Sequence, residues 1–71
     1  MQTVYPNLDQ EIRSKGLNYS RLAKGVGLSK TAIYRRVSGQ TDFKLTEVTR
    51  ICQFLENLDA TWLFLRLDNI S

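Results

Sequence analysis

Residues 20–39 read Ser20-Arg21-Leu22-Ala23-Lys24-Gly25-Val26-Gly27-Leu28-Ser29-Lys30-Thr31-Ala32-Ile33-Tyr34-Arg35-Arg36-Val37-Ser38-Gly39, and this stretch decides the fold. Leu22, Ala23 and Val26 form the inner face of one short helix. Ile33 and Val37, four apart, form the inner face of a second. Between them, Gly27 is free to take φ > 0 and turn the chain sharply. Ser29 is a good N-cap for the second helix. Ala23 is small where the second helix must cross the first closely. Together these residues predict two helices fixed as a rigid corner, a helix-turn-helix over about 19–38. With Ile33 and Val37 turned inward, Lys30, Thr31, Tyr34 and Arg35 face outward, with Ser38 near the end.

The flanks extend the pattern. Pro6 suits the first turn of a helix, where its missing N–H costs nothing. Leu8 and Ile12 stand four apart, Gly16 can end that helix, and Asn18 can cap the next. Downstream, a loop runs to about Phe43, with Thr41 or Asp42 as candidate caps. Leu45, Val48, Ile51, Cys52 and Leu55 then keep helical spacing, and Phe54 and Leu58 widen their face. Asp59 can cap a last short helix carrying Trp62, Leu63 and Leu65. No stretch alternates polar and apolar residues. The expectation is one all-α domain over 1–71, a compact bundle of about five short helices.

Charge is unevenly distributed. From Arg13 to Lys44 eight basic residues (Arg13, Lys15, Arg21, Lys24, Lys30, Arg35, Arg36 and Lys44) face one acid, Asp42. Residues 1–12 and 45–71 are each net negative. A concentrated basic middle is what a polyanion-binding face needs. On the outward face of the second helix of the corner, Lys30 and Arg35 can donate to guanine edges, and Thr31 can bond a base or touch a thymine methyl. Tyr34 can pack on sugar or a methyl group, or bond a phosphate.

Composition narrows the remaining classes. The chain has no histidine and one cysteine, Cys52, so neither a zinc site of ordinary composition nor an intrachain disulfide can be built. The usual Ser/His and Cys/His nucleophile pairs are missing for the same reason. No cofactor and no enzymatic activity are expected. The apolar stretch Trp62 to Leu65 is far too short to span a bilayer, and residues 1–9 do not read as a signal peptide. A reducing, cytoplasmic setting is expected.

Residues of about 8–64 resemble the phage repressor and Cro family, the lambda-repressor-like domain. The resemblance rests on Gly16-Leu17-Asn18, Leu22-Ala23, Val26-Gly27, Ser29, Ile33 and Gly39, then on Val48 to Leu55 and Asp59-Ala60-Thr61-Trp62-Leu63. It implies a five-helix fold, binding of double-stranded operator DNA through the major groove, and a symmetric homodimer. Base reading then falls to Lys30, Thr31, Tyr34 and Arg35. Phosphate contacts fall to Tyr19, Ser29, Arg36, Ser38, Gln40, Thr41 and Lys44, with backbone N–H groups of the loop fixing register. Arg13, Lys15, Arg21 and Lys24 are further phosphate candidates. Three departures stand out. Arg36 occupies a position where relatives often carry an apolar residue, and its stem can cover core while its head reaches solvent or phosphate. Tyr19 occupies a position where relatives often carry a phosphate-bonding Gln. Ile12 and Val37 occupy those of a frequent Arg–Glu pair, which a hydrophobic contact replaces here.

A single short domain reads few base pairs, so two copies on half-sites are expected. Phe64, Leu67 and Ile70 are the candidates for the dimer contact, with Trp62 and Leu63 in the core. The length fits a Cro-type protein better than a two-domain repressor. The alternative is a protein-binding module, an antitoxin or assembly factor, whose basic face meets an acidic partner.

Overall fold

A computed structural model describes residues 3–67, so Ile70 lies outside the described residues. Within them every regular element is an α-helix: α1 Pro6–Ser14, α2 Tyr19–Val26, α3 Lys30–Val37, α4 Leu45–Leu55 and α5 Ala60–Leu63. Pro6 opens α1 at its first helical position. Asn18, Ser29 and Asp59 cap α2, α3 and α5, their side-chain oxygens accepting the N–H of Arg21, Ala32 and Trp62. Helix α4 departs from expectation. Its N-cap is Lys44 rather than Thr41 or Asp42, because Glu47 reaches back and accepts the Lys44 N–H at 2.9 Å.

Helix α2 packs against both α3 and α4, while α5 packs against α1 and α4. Leu8, Ile12, Leu22, Ile33, Val37, Ile51, Leu55 and Leu63 are fully buried where these faces meet. Burying such a side chain contributes about 1.5–3 kcal/mol. Ile12 and Val37 are both in that core, consistent with an apolar contact in place of an ion pair. The N-terminal segment closes one end of the bundle. The Val4 N–H donates to the Val37 carbonyl at 2.9 Å, and the Leu67 N–H donates to the Val4 carbonyl at 3.1 Å.

The apolar pattern of α4 and α5 is partly overturned. Leu45 is 81% exposed, since it starts α4 with no element above it, and Leu58 is 80% exposed in the α4–α5 loop. The Phe54 ring lies directly over Gly25, where any Cβ would collide with it. At the end of the chain, Phe64 turns in while Trp62 is left partly exposed. Tyr5, Phe43 and Phe64 form an edge-to-face cluster, with ring centroids 5.1–5.9 Å apart.

Among the described non-glycine residues, one is strained. Glu56 ends α4 with φ = 54°, a left-handed conformation usually given to glycine. Its charge also stands at the negative end of the helix dipole. Glu56→Gly is expected to stabilise the fold by about 1 kcal/mol, after allowing for the greater freedom of glycine in the unfolded chain. That corresponds to a rise of about 4–8 °C in Tm for a domain of this size, measurable by thermal melting.

Candidate nucleic-acid interface

The corner is held from inside. Gly27 ends α2 at φ = 78°, and the next N–H, that of Leu28, donates to the Ala23 carbonyl at 2.9 Å. This leaves Ser29 placed to start α3 at once, its hydroxyl oxygen accepting the Ala32 N–H at 3.0 Å. Leu22, Ala23, Ile33 and Val37 bury the inner faces of both helices. The orientation of α3 about its axis is therefore fixed. Lys30, Thr31 and Arg35 are exposed, and Tyr34 is half-buried beside them. Together with Ser38 and Gln40 they line one open concavity.

Ion pairing sorts the basic residues. Arg13 bonds Asp9 at 2.7 Å, Lys15 lies 3.7 Å from Glu11, Arg36 bonds Glu47 at 2.8 Å, and Arg66 bonds Asp42 at 2.9 Å. Among the described residues, no carboxylate stands at ion-pair distance from Arg21, Lys24, Lys30, Arg35 or Arg50, whereas the charge of Lys44 acts on Glu47. The unneutralised charge thus lies on α2, α3 and the middle of α4. Asp42, the lone acid of the basic stretch, stays exposed but is paired with Arg66 from 24 residues away, a contact that no sequence spacing signals.

Several phosphate candidates are engaged elsewhere. Tyr19 is only 8% exposed, and its hydroxyl donates to Asp9 at 2.8 Å instead of facing solvent. Burial and the Asp9 carboxylate both raise its phenol far above the ordinary value, so it stays protonated. Burial works against ionisation of Asp9, but hydrogen bonds from Arg13 and Tyr19 outweigh it and hold that carboxyl below its usual 3.8. Arg36 does not reach out along the helix. Its Nε and Nη2 donate to the two Glu47 oxygens at 2.8 and 3.1 Å, and Nη1 to the Ala32 carbonyl at 3.1 Å. The Ser38 hydroxyl donates to the Arg35 carbonyl at 3.1 Å. The backbone N–H groups of Gln40 and Thr41 donate to that same carbonyl, at 2.9 and 3.3 Å, so they are not offered to phosphate.

What remains outward is the Ser29 hydroxyl, the side chains of Gln40 and Thr41, and the ammonium of Lys44. The Arg36–Glu47 pair brackets the loop that carries these last three. Burial opposes the charge on Glu47, but the bonds from Arg36 and the Lys44 N–H prevail, and its carboxyl lies below the usual 4.5.

Among the described residues, no group of three or more acids or cysteines is arranged to hold a metal, and no helix is long and apolar enough to cross a membrane. A family model described as the Cro/C1-type HTH DNA-binding domain matches residues 7–56, which include the whole corner, most of α1 and all of α4. No curated protein and no solved structure matches the chain.

Proposed function

The chain belongs to the Cro/C1-type helix-turn-helix DNA-binding family, and from that premise we propose that it is a Cro-type repressor of phage or prophage origin, reading a palindromic operator through the major groove. DNA binding and transcription regulation come with the family. The repressor role, the operator symmetry and the residue roles are this proposal. Its main support is the convergence of two independent features on α3. The buried pair Ile33 and Val37 turns Lys30, Thr31 and Arg35 outward, and those two cations have no carboxylate neighbour. An α-helix fits the major groove, and Arg or Lys donates naturally to guanine O6 and N7. Ser29, Gln40, Thr41 and Lys44 lie on the flanks of that face, suited to phosphates that set register.

Two copies on half-sites one helical turn apart complete the proposal. In this reading the dimer contact rests mainly on Leu67, because Phe64 is engaged in the aromatic cluster. Leu67 stays exposed, joined by Leu58, Leu65 and part of Trp62. Sedimentation of the complex with operator should give two chains per duplex.

The test is selection of bound duplexes from a random-sequence pool, then footprinting. A single preferred motif with two-fold symmetry is expected. Arg35→Ala and Lys30→Ala should each cost about 1–3 kcal/mol of affinity for that motif and relax preference at one position per half-site. Lys44→Gln should weaken all sequences alike and reduce the salt slope by about 1 per half-site contact. Equal binding to every duplex would point to a basic face made for an acidic protein.

A further inference from the structure

Tyr19 is displaced from phosphate, and the geometry says what it does instead. Its ring stands 5.9 Å from that of Tyr34, tilted by 58°. Tyr34 in turn lies under the Lys30 ammonium, 6.0 Å from Nζ to the ring centroid. On the other side, the Tyr19 hydroxyl is fixed by Asp9, and Asp9 by Arg13. One line of contacts therefore runs from α1, through the first residue of α2, to two outward side chains of α3. Tyr34 is half-buried because Tyr19 backs it. An aromatic face within about 6 Å attracts a cation, so Tyr34 also biases where the long Lys30 side chain rests.

We infer that Tyr19 is a positioning residue for base recognition: it holds the Tyr34 ring, and through it the Lys30 ammonium, in the arrangement that meets DNA, while touching no nucleotide itself. The inference rests on the reading of α3 as the base-reading helix. An unbacked Tyr34 would change rotamer freely, and Lys30 would lose its platform. The discriminating power of α3 then comes partly from a buried side chain one helix away, because a side chain already held in place loses less freedom on binding. It is the ring, not the hydroxyl, that meets Tyr34, so the bond to Asp9 acts only by holding Tyr19 in place.

The probe is the preferred duplex recovered by the wild-type chain, with its single-base-pair variants. Tyr19→Leu is expected to reduce discrimination about five- to tenfold, within what one good base contact supplies, and only at the base pair that Lys30→Ala also relaxes. Tyr19→Phe should retain discrimination within about twofold, because the ring remains. Tyr34→Leu, at a half-exposed site, should relax that same Lys30-dependent base pair in addition to any contact Tyr34 makes itself, and this shared loss carries the test if Tyr19→Leu does not fold. Nuclear Overhauser contacts between the two rings in the wild type provide a readout without DNA, and their absence would overturn the inference. Unchanged discrimination in both Leu variants, with only a uniform loss of affinity or a lower Tm, would reduce Tyr19 to a core residue. Failure of the wild type to prefer any duplex would instead remove the base-reading premise, and this inference with it.

Discussion

Glu47→Ala is expected to lower stability by about 3–5 kcal/mol, the range for removing one partner of a buried ion pair. The carboxylate accepts three hydrogen bonds, two from Arg36 and one from the Lys44 N–H. Alanine would leave the guanidinium, whose side chain is 12% exposed, with the Ala32 carbonyl alone. Chains of this size have total stabilities of about 4–10 kcal/mol, so much of the fold's margin is at stake. Urea unfolding decides it, and a loss below about 1 kcal/mol would show that the pair behaves as a surface bridge. The double variant Arg36→Met with Glu47→Leu should recover most of the loss, because no charge is then stranded. Acid should act in the same direction. The folded-state carboxyl lies below the usual 4.5, so its contribution is complete above that value and disappears as pH falls through the folded value. Glu47→Gln should accordingly narrow its difference from wild type as the solution is acidified.

The consequence reaches the proposed interface. Arg36 is in the last turn of α3, and Glu47 is in the first turn of α4. The loop between them carries Gln40, Thr41 and Lys44. A weakened pair would loosen that loop before it unfolds the corner. On the proposed reading, Glu47→Gln should then weaken binding to all duplexes under conditions where the sequence preference assigned to α3 persists.

The corner was legible because its determinants are local. Leu22, Ala23, Gly27, Ser29 and Ile33 act through caps and spacings of three or four residues, which a sequence displays directly. The caps Asn18, Ser29 and Asp59 fell where side-chain oxygens precede apolar runs. What escaped lies in pairs that meet only after folding. Glu47 looks like an ordinary acid in a first turn, and Arg36 stands at a position suited to an apolar side chain. Nothing in their spacing of eleven residues marks them as partners. Tyr19 and Asp9, ten apart, and Asp42 and Arg66, 24 apart, are hidden in the same way. Leu45 misled for a different reason. It continues the helical stripe of α4, but a stripe is buried only where another element covers it, and the side of the first turn that carries Leu45 is left open while Glu47 on the same turn is covered. The left-handed end of α4 carried no signal because Glu56 stands where glycine would have announced it.

Phe64, expected at a dimer contact, is half-buried in the aromatic cluster, and the two roles predict different stabilities. Phe64→Ala is expected to destabilise the monomer by about 3 kcal/mol, the low end for truncating a buried aromatic, since the ring is only partly covered. Its partners come from three distant parts of the chain: Tyr5 before α1, Phe43 before α4, and the core beneath. The cluster joins both ends of the domain to the loop after α3, so its loss also weakens the Val4–Val37 and Leu67–Val4 backbone bonds. A side chain reserved for a dimer contact behaves otherwise. Its truncation would lower the unfolding midpoint only at protein concentrations where dimers form, since association stabilises by mass action. Urea midpoints for wild type and Phe64→Ala, taken at protein concentrations spanning about a hundredfold, separate the two cases, because that dilution shifts a dimer's apparent stability by about 2.7 kcal/mol. A deficit that is constant across the range establishes the ring as intramolecular mortar. Leu67→Ala is the counterpart: its side chain is exposed, so the dilute monomer should change by no more than about 0.5 kcal/mol. If Leu67→Ala instead matched Phe64→Ala in dilute solution, the assignment of inner and outer faces at the end of the chain would be reversed.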